Sequence, residues 1–172
     1  MDKESGATRI RPMDIGRDMH SVLGTEQASS ENTTTKEELL RRLRRCNSAA
    51  MVAEQGGGAV GFLFWRGKRI IRAKGFGPKR GIHLISIMVR QEYRKQGIGA
   101  RMVAELTSKL GHNRTWIEVE VPETNRVALD FFRSQGFVEK QVLQNVLKNG
   151  GNAILMHYNI AESDDVKPDI VV

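Results

Sequence analysis

A nearly unbroken apolar run, Ile82–Val89, gives way after Arg90–Gln96 to the spacing Ile98, Met102, Val103, Leu106 and Leu110, with glycines at 97 and 99 between the two. The run reads as a central strand covered on both faces, and the spacing reads as an amphipathic helix that Gly111 closes. The chain therefore passes from the middle of a sheet straight into a helix. The first N–H groups of such a helix lack intrahelical partners and carry the positive end of its dipole, so they make a cradle for an anion at the end of the strand. A Cβ at Gly97 or Gly99 would keep a pyrophosphate from closing on those amides, and Arg94 and Lys95 add positive charge.

Other elements surround this one. Thr8–Pro12 reads as a short edge strand, and Ile15, Met19, Val22 and Leu23 recur at helical period. Residues 24–35 read as a loop, rich in Gly, Ser, Asn and Thr. Thr35 and Glu38 form a capping box for a second helix with Leu39, Leu40 and Leu43 on one face and Arg41, Arg42, Arg44 and Arg45 on the other. Ala49–Glu54 and Ala59–Trp65 flank Gln55-Gly56-Gly57-Gly58 as a hairpin. Gly56, Gly58 and Gly61 match G-x-G-x-x-G, but a strand-like segment follows where a dinucleotide site needs a helix, and no acid stands in residues 66–80. That segment is instead the densest positive charge in the chain and reads as an extended excursion between strands.

Thr115–Val121 alternates as a strand. Pro122-Glu123-Thr124-Asn125 turns into a helix carrying Val127, Ala128, Phe131 and Phe132, closed by Gly136. Two strands, about Phe137–Leu147 and Ala153–Ile160, flank an Asn149-Gly150 turn. Residues 161–172 read as an acidic tail.

With 172 residues, 40% of them apolar, the chain supplies one core and one domain, spanning residues 1–160. A lone Cys46 rules out an internal disulfide and fits a reducing, cytoplasmic setting. The polar start Met1-Asp2-Lys3-Glu4 is not a signal sequence, and no apolar run is long enough to span a bilayer. His20, His83, His112 and His157 lack ligand spacing, so each reads as an ordinary polar or packing residue and no metal is expected. The net charge of +7 favours an anionic partner.

The order of elements and the Arg94-x-x-Gly97-x-Gly99 segment resemble the GNAT superfamily of acetyl-coenzyme A-dependent N-acetyltransferases over roughly residues 8–160. Asn125 followed by Ala128, Phe132 and Gly136-Phe137 is similar to a second signature of that family. The resemblance implies an α/β (α+β) fold: a mixed, mostly antiparallel sheet of about six to seven strands with about four helices, splayed at the cofactor site. It also implies that the backbone of Ile87, Met88 and Val89 holds the acetyl and pantetheine groups. The loop from Arg94 through Lys95, Gln96, Gly97, Ile98 and Gly99 to Ala100 would take the pyrophosphate, and Asn125 and Phe132 would line the pantetheine arm. Acetyl-CoA is then the cosubstrate.

Amide formation needs a base for the attacking amine. Glu118 and Glu120, two apart on one strand, face the same side and either can serve. The sequence Trp116-Ile117-Glu118-Val119 resembles the catalytic-glutamate strand of bacterial enzymes that acetylate the N-terminal alanine of a ribosomal protein, which favours Glu118. The tyrosine that commonly protonates the leaving thiolate in the family is Phe132 here, so Tyr158, Tyr93 or water takes that part. The positive charge repels polycationic amines and attracts acid-bearing peptides, which favours a peptide or ribosomal-protein amino terminus as acceptor over a small-molecule amine. A non-catalytic CoA sensor, or a basic RNA- or ribosome-binding module, are the readings from other classes. No membrane partner is expected, and a monomer or homodimer fits equally.

Overall fold

A computed structural model describes residues 7–29, 35–45, 48–70, 79–110 and 116–159. In chain order the elements are β1 (Arg9–Pro12), α1 (Ile15–Ser29), α2 (Lys36–Leu43), β2 (Ser48–Gln55), β3 (Gly58–Ile70), β4 (Lys79–Val89), a 3₁₀ turn (Gln91–Tyr93), α3 (Ile98–Thr107), β5 (Trp116–Pro122), α4 (Arg126–Ser134), β6 (Val138–Leu143) and β7 (Ala153–Asn159). The strands form one seven-stranded sheet in the order β1-β2-β3-β4-β5-β7-β6. Every pairing is antiparallel except β4 with β5, so the sheet is mixed as expected.

Alternation along the strands divides the core into two layers. On one face Met19 and Val22 of α1 and Leu39 of α2 pack on Val52, Ala59, Phe62 and Phe64, all on β2 and β3. On the other, Ile98, Met102, Val103 and Leu106 of α3 and Leu129 and Phe132 of α4 cover Leu63, Ile82, Leu84, Ile117 and Val119. Burying a Leu, Ile or Phe side chain contributes about 1.5–3 kcal/mol, so these two layers dominate the stability.

Ion pairs fix α1 and α2. Arg11 of β1 grips both carboxylate oxygens of Asp18 at 2.7 Å and also bonds Glu54 of β2, so one guanidinium ties the edge of the sheet to the first turn of α1. Arg42 of α2 reaches Glu26 of α1 at 2.6 Å and Glu38 at 3.1 Å.

Three expectations shift. The first helix does not stop near residue 24; it runs to Ser29, because Thr25 and Glu26 are buried and Arg42 anchors Glu26, contacts that outweigh the helix cost of Gly24. The basic excursion is strand as far as Ile70 and again from Lys79, since Lys68 pairs with Gly81 and Arg69 with Arg80 in the β3–β4 ladder. The strand after α4 ends at Leu143 rather than 147, where Asn145 takes a positive φ of 56° and turns the chain. Cys46, residues 71–78, Gly111, His112, Thr115 and the acidic tail lie outside the described residues. Among those described, no helix is long and apolar enough to cross a membrane.

Candidate active site

β4 and β5 are partners over only four positions, Gly81 with Trp116 through Leu84 with Val119. Beyond these, Ser86–Val89 pair with β3 alone and Glu120–Pro122 with β7 alone, so the two central strands part company. The parting begins at a bulge: Trp65 pairs with Leu84 and Phe64 with Ser86, leaving Ile85 extra. An extra residue in one strand sharpens its twist and turns it away from its neighbour.

The ladder sets which backbone groups line this gap. Arg90 N–H donates to Val60 O at 2.9 Å, and hydrogen-bonded and open pairs alternate along an antiparallel ladder. Residues 88 and 86 therefore spend their backbone groups on β3, whereas Ile87 and Val89 direct theirs into the gap. Val89 O, on that side, accepts from Arg94 Nε at 2.9 Å. Of the three residues expected here, Met88 contributes no backbone group to the gap, and its side chain packs on the α1 and α2 layer.

The glycine loop follows directly. Gly97 is the N-cap of α3 at φ 75°, with no side chain capping the helix, and Lys95 also has a positive φ of 59°. Two left-handed residues fold Lys95–Gly97 so that the first-turn amides of α3 remain free of side-chain caps, which is the donor set a pyrophosphate needs. A Cβ on Gly97 would meet nothing within 4 Å, so the glycine there answers to backbone conformation and to open space above it. Gly99 carries a further constraint. Its Cβ would come within 3.2 Å of the Phe131 ring, so it serves the close approach of α4 to α3. A cavity of about 400 Å³ opens between α1 and the 3₁₀ turn that precedes this loop, bordered by His20, Thr25, Arg90 and Arg94.

Glu118 and Glu120 both stand on the face of β5 turned away from α3 and α4, as their spacing requires. Their surroundings differ sharply. Glu118 is 3% exposed and accepts from Lys68 Nζ at 2.6 Å and His83 Nδ1 at 2.8 Å, with His157 Nε2 at 3.8 Å. Burial alone would push this carboxyl up, but the hydrogen bonds and charge of His83 and Lys68 prevail and hold it down at about 2. With Glu118 ionised, Nδ1 of His83 is the donor of this short contact. His157 is pushed below its usual value, first by burial and further by Lys140 and Lys68, against the pull of Glu118. Glu120 is exposed and sits one residue past the last β4–β5 pair, on the wall of the gap.

Lys68, His83 and His157 were not legible as a group. The register brings them together: His83 faces Glu118 across β4–β5 and His157 faces it across β5–β7. A histidine inside the apolar run 82–89 was the one available sign. Among the described residues, no group of His, Cys, Asp and Glu is arranged to hold a metal ion.

A carboxylate held at about 2 in the fold against about 4.5 when unfolded stabilises the fold above pH 4.5 and loses that contribution as pH falls towards 2. Glu118→Gln is therefore expected to lower stability by on the order of 3 kcal/mol at pH 7. Denaturant unfolding of both forms across pH checks this: the difference persists at neutral pH and shrinks between about pH 4.5 and 2.

The remaining expected residues stand on other elements. Asn125 is the N-cap of α4 and accepts from Ala128 N at 3.1 Å, exposed at the start of the helix. Phe132 is 3% exposed and packs edge-on against Phe131 and Phe137 at 5.2 and 5.1 Å, inside the core. Tyr158 faces Ile117, near the start of β5 and on the opposite face from both glutamates; its ring packs on Phe137. Tyr93 sits in the 3₁₀ turn with the Arg90 guanidinium 5.7 Å above its ring.

Residues 17–137 match the model of the acetyltransferase (GNAT) family. An N-alpha-acetyltransferase of Sulfurisphaera tokodaii is 31% identical over 110 residues, which are 61% of this chain and 65% of that protein. The crystal structure of Ard1 from Thermoplasma volcanium superposes with a TM-score of 0.74 at 26% identity, covering 91% of this chain and 99% of that one. Arabidopsis thaliana NAA60 in complex with acetyl-CoA shares the fold with a TM-score of 0.76 at 16% identity, covering 90% and 99%. The ribosomal-protein-S18-alanine N-acetyltransferase of Escherichia coli shares it with a TM-score of 0.74 at 18% identity, covering 94% and 99%.

Proposed function

Since the chain belongs to the acetyltransferase (GNAT) family, we propose that it moves the acetyl group of acetyl-CoA to a primary amine, with a peptide or protein amino terminus as acceptor. The observation that carries this reading is the parting of β4 from β5 beside an uncapped helix N-terminus. One feature offers a slot for an extended chain and the other a seat for its phosphates. The amides of Lys95–Ala100, with Arg94 and Lys95 beside them, would hold the pyrophosphate, and the Ile87 and Val89 backbone would pair with the pantetheine amides. Similarity to an N-alpha-acetyltransferase supports the choice of an amino-terminal acceptor.

Acetyl-CoA supplies an activated thioester. The acceptor nitrogen must lose a proton as its bond to the acetyl carbon forms and the carbon–sulfur bond breaks. Glu120 is the group assigned to take that proton, because it is exposed on the wall of the gap. Glu118, although the resemblance favoured it, is poorly suited: it is buried, already bonded to Lys68 and His83, and held at about 2. Its part is to hold the His83 ring and the Lys68 ammonium in place on the acceptor side. Phe132 has no proton to give and Tyr158 stands opposite Ile117, before the gap begins, so Tyr93 of the 3₁₀ turn or water is left to protonate the thiolate; a thiol pKa near 8.5 makes departure as the thiolate tolerable as well. A reducing, cytoplasmic setting suits the lone Cys46.

Calorimetric titration with acetyl-CoA and with CoA, followed by an assay of CoA release with an alanine-initiated peptide or spermidine, tests the reading. Binding with peptide-dependent release is the expected result. A higher kcat/KM for spermidine would transfer the activity to small amines, binding without turnover of either would leave a CoA sensor, and no binding by the folded protein would overturn the proposal.

A further inference from the structure

The floor of the acceptor side has a charge that the catalytic reading does not use. The apolar layer formed with α1 and α2 draws its strand residues from β2, β3 and β4 only. Farther along the same face, Arg66 and Lys68 on β3, His83 on β4, Glu118 and Glu120 on β5 and His157 on β7 form a polar group, with Leu155 of β7 and Val138 of β6 as its apolar members. Arg66 stands opposite His83, and His83, Glu118 and His157 share one level across three strands. On the far side, Val138 of β6 stands opposite His157, and Lys140, two residues on, is the extra residue of the β6–β7 irregularity, near enough to push His157 down. Arg66 and Lys140 are both exposed, and among the described residues neither forms an ion pair. Glu118 contributes no net negative charge to this floor, because Lys68 at 2.6 Å answers it.

Distances along the strand relate this floor to an acceptor. Glu118 is two residues from Glu120, about 7 Å at the rise of a β-strand. An extended peptide advances by about the same rise per residue. With its amine at Glu120 and its chain laid along this face, its second and third residues cross the level of His83 and His157, flanked by Arg66 and Lys140. Neighbouring strands lie about 4.8 Å apart, so each of these two long side chains reaches inward from a strand two removed from β5.

Resting on the acetyltransferase reading above, we propose that this floor selects amino termini followed by acidic side chains at the second and third positions, with Arg66 and Lys140 as the residues that set the preference. Lys68 is held by Glu118 and adds background potential. The contribution is electrostatic and solvent-exposed, so it acts on acceptor binding and weakens with salt.

Two peptides of equal length, one beginning Ala-Asp-Glu and one Ala-Lys-Arg, provide the test, assayed with saturating acetyl-CoA at low and high salt against wild type and an Arg66→Glu/Lys140→Glu variant. The expected result is a preference for the acidic peptide of about tenfold or more in kcat/KM, carried by KM and reduced by salt, as two exposed charge contacts allow. In the variant the preference disappears or inverts while acetyl-CoA affinity, titrated separately, is unchanged. Equal kcat/KM for the two peptides, or a preference that survives in the variant, overturns the proposal. If neither peptide is acetylated although acetyl-CoA still binds, it is the amino-terminal acceptor reading that has failed, and the preference falls with it. If the variant's lost affinity is for a phosphate-backbone competitor such as short RNA, with peptide turnover untouched, the floor is a nucleic-acid surface and the proposal is wrong.

Discussion

Glu120→Gln is expected to lower kcat by about 10²- to 10⁴-fold, the range that a positioned general base contributes, while leaving acetyl-CoA affinity within twofold or so of wild type. The glutamine keeps the size and the hydrogen-bonding oxygen and removes only proton acceptance. The control is Glu118→Gln, since the two carboxylates share a face and differ in what holds them. Glu118→Gln should show its main effect on stability, through the loss of partners at 2.6 and 2.8 Å, and a smaller one on turnover by loosening His83. A steady-state assay on both variants beside their unfolding curves separates the roles. If Glu118→Gln abolishes turnover in a folded protein and Glu120→Gln does not, the base has been assigned to the wrong residue.

The second large effect is at the phosphate seat. Gly97→Glu is expected to weaken acetyl-CoA binding by at least about 100-fold, close to 3 kcal/mol. A carboxylate there meets the ligand's charge directly and opposes the field of the helix terminus that should attract it. Its fold should survive, because no atom lies within 4 Å of the added Cβ. What remains is the conformational cost of a non-glycine residue at φ 75°, about 1–2 kcal/mol. Gly97→Ala bears that cost without the charge, so it serves as the reference: lowered Tm, with a much smaller loss of affinity. Equal losses for Ala and Glu in a calorimetric titration would mean that backbone geometry, not charge, governs the seat.

Much of the architecture was legible because it rests on local rules. The apolar run 82–89, the glycines that follow it and the periodicity of α3 located the centre of the sheet and the helix start that faces the gap. The Thr35 cap was equally local, and its side chain does accept from Glu38 N. What escaped was long-range. The buried set around Glu118 joins residues 68, 83, 118 and 157, which only strand order and register place together. The extent of α1 depends on Glu26 meeting Arg42 sixteen residues later, a contact no helix propensity encodes. Gly99 has a further demand on it from the Phe131 ring, because spacing alone cannot tell which neighbours crowd a missing Cβ. Phe132 was read from a signature position, yet its ring is spent on core packing.

The short seam between β4 and β5 has a mechanical meaning. Four paired positions are all the ladder that joins β1-β2-β3-β4 to β5-β7-β6, so the sheet consists of two panels on a narrow hinge. Each panel is internally well bonded, and α3 and α4 lie across both as a backing. An extended molecule seated in the gap would pair with Ile87 and Val89 on one panel and touch the wall of the other, supplying part of the ladder the protein omits. Cosubstrate and protein would then form a single continuous sheet, and its departure would return the panels to their looser union, which makes ligand occupancy itself a determinant of rigidity.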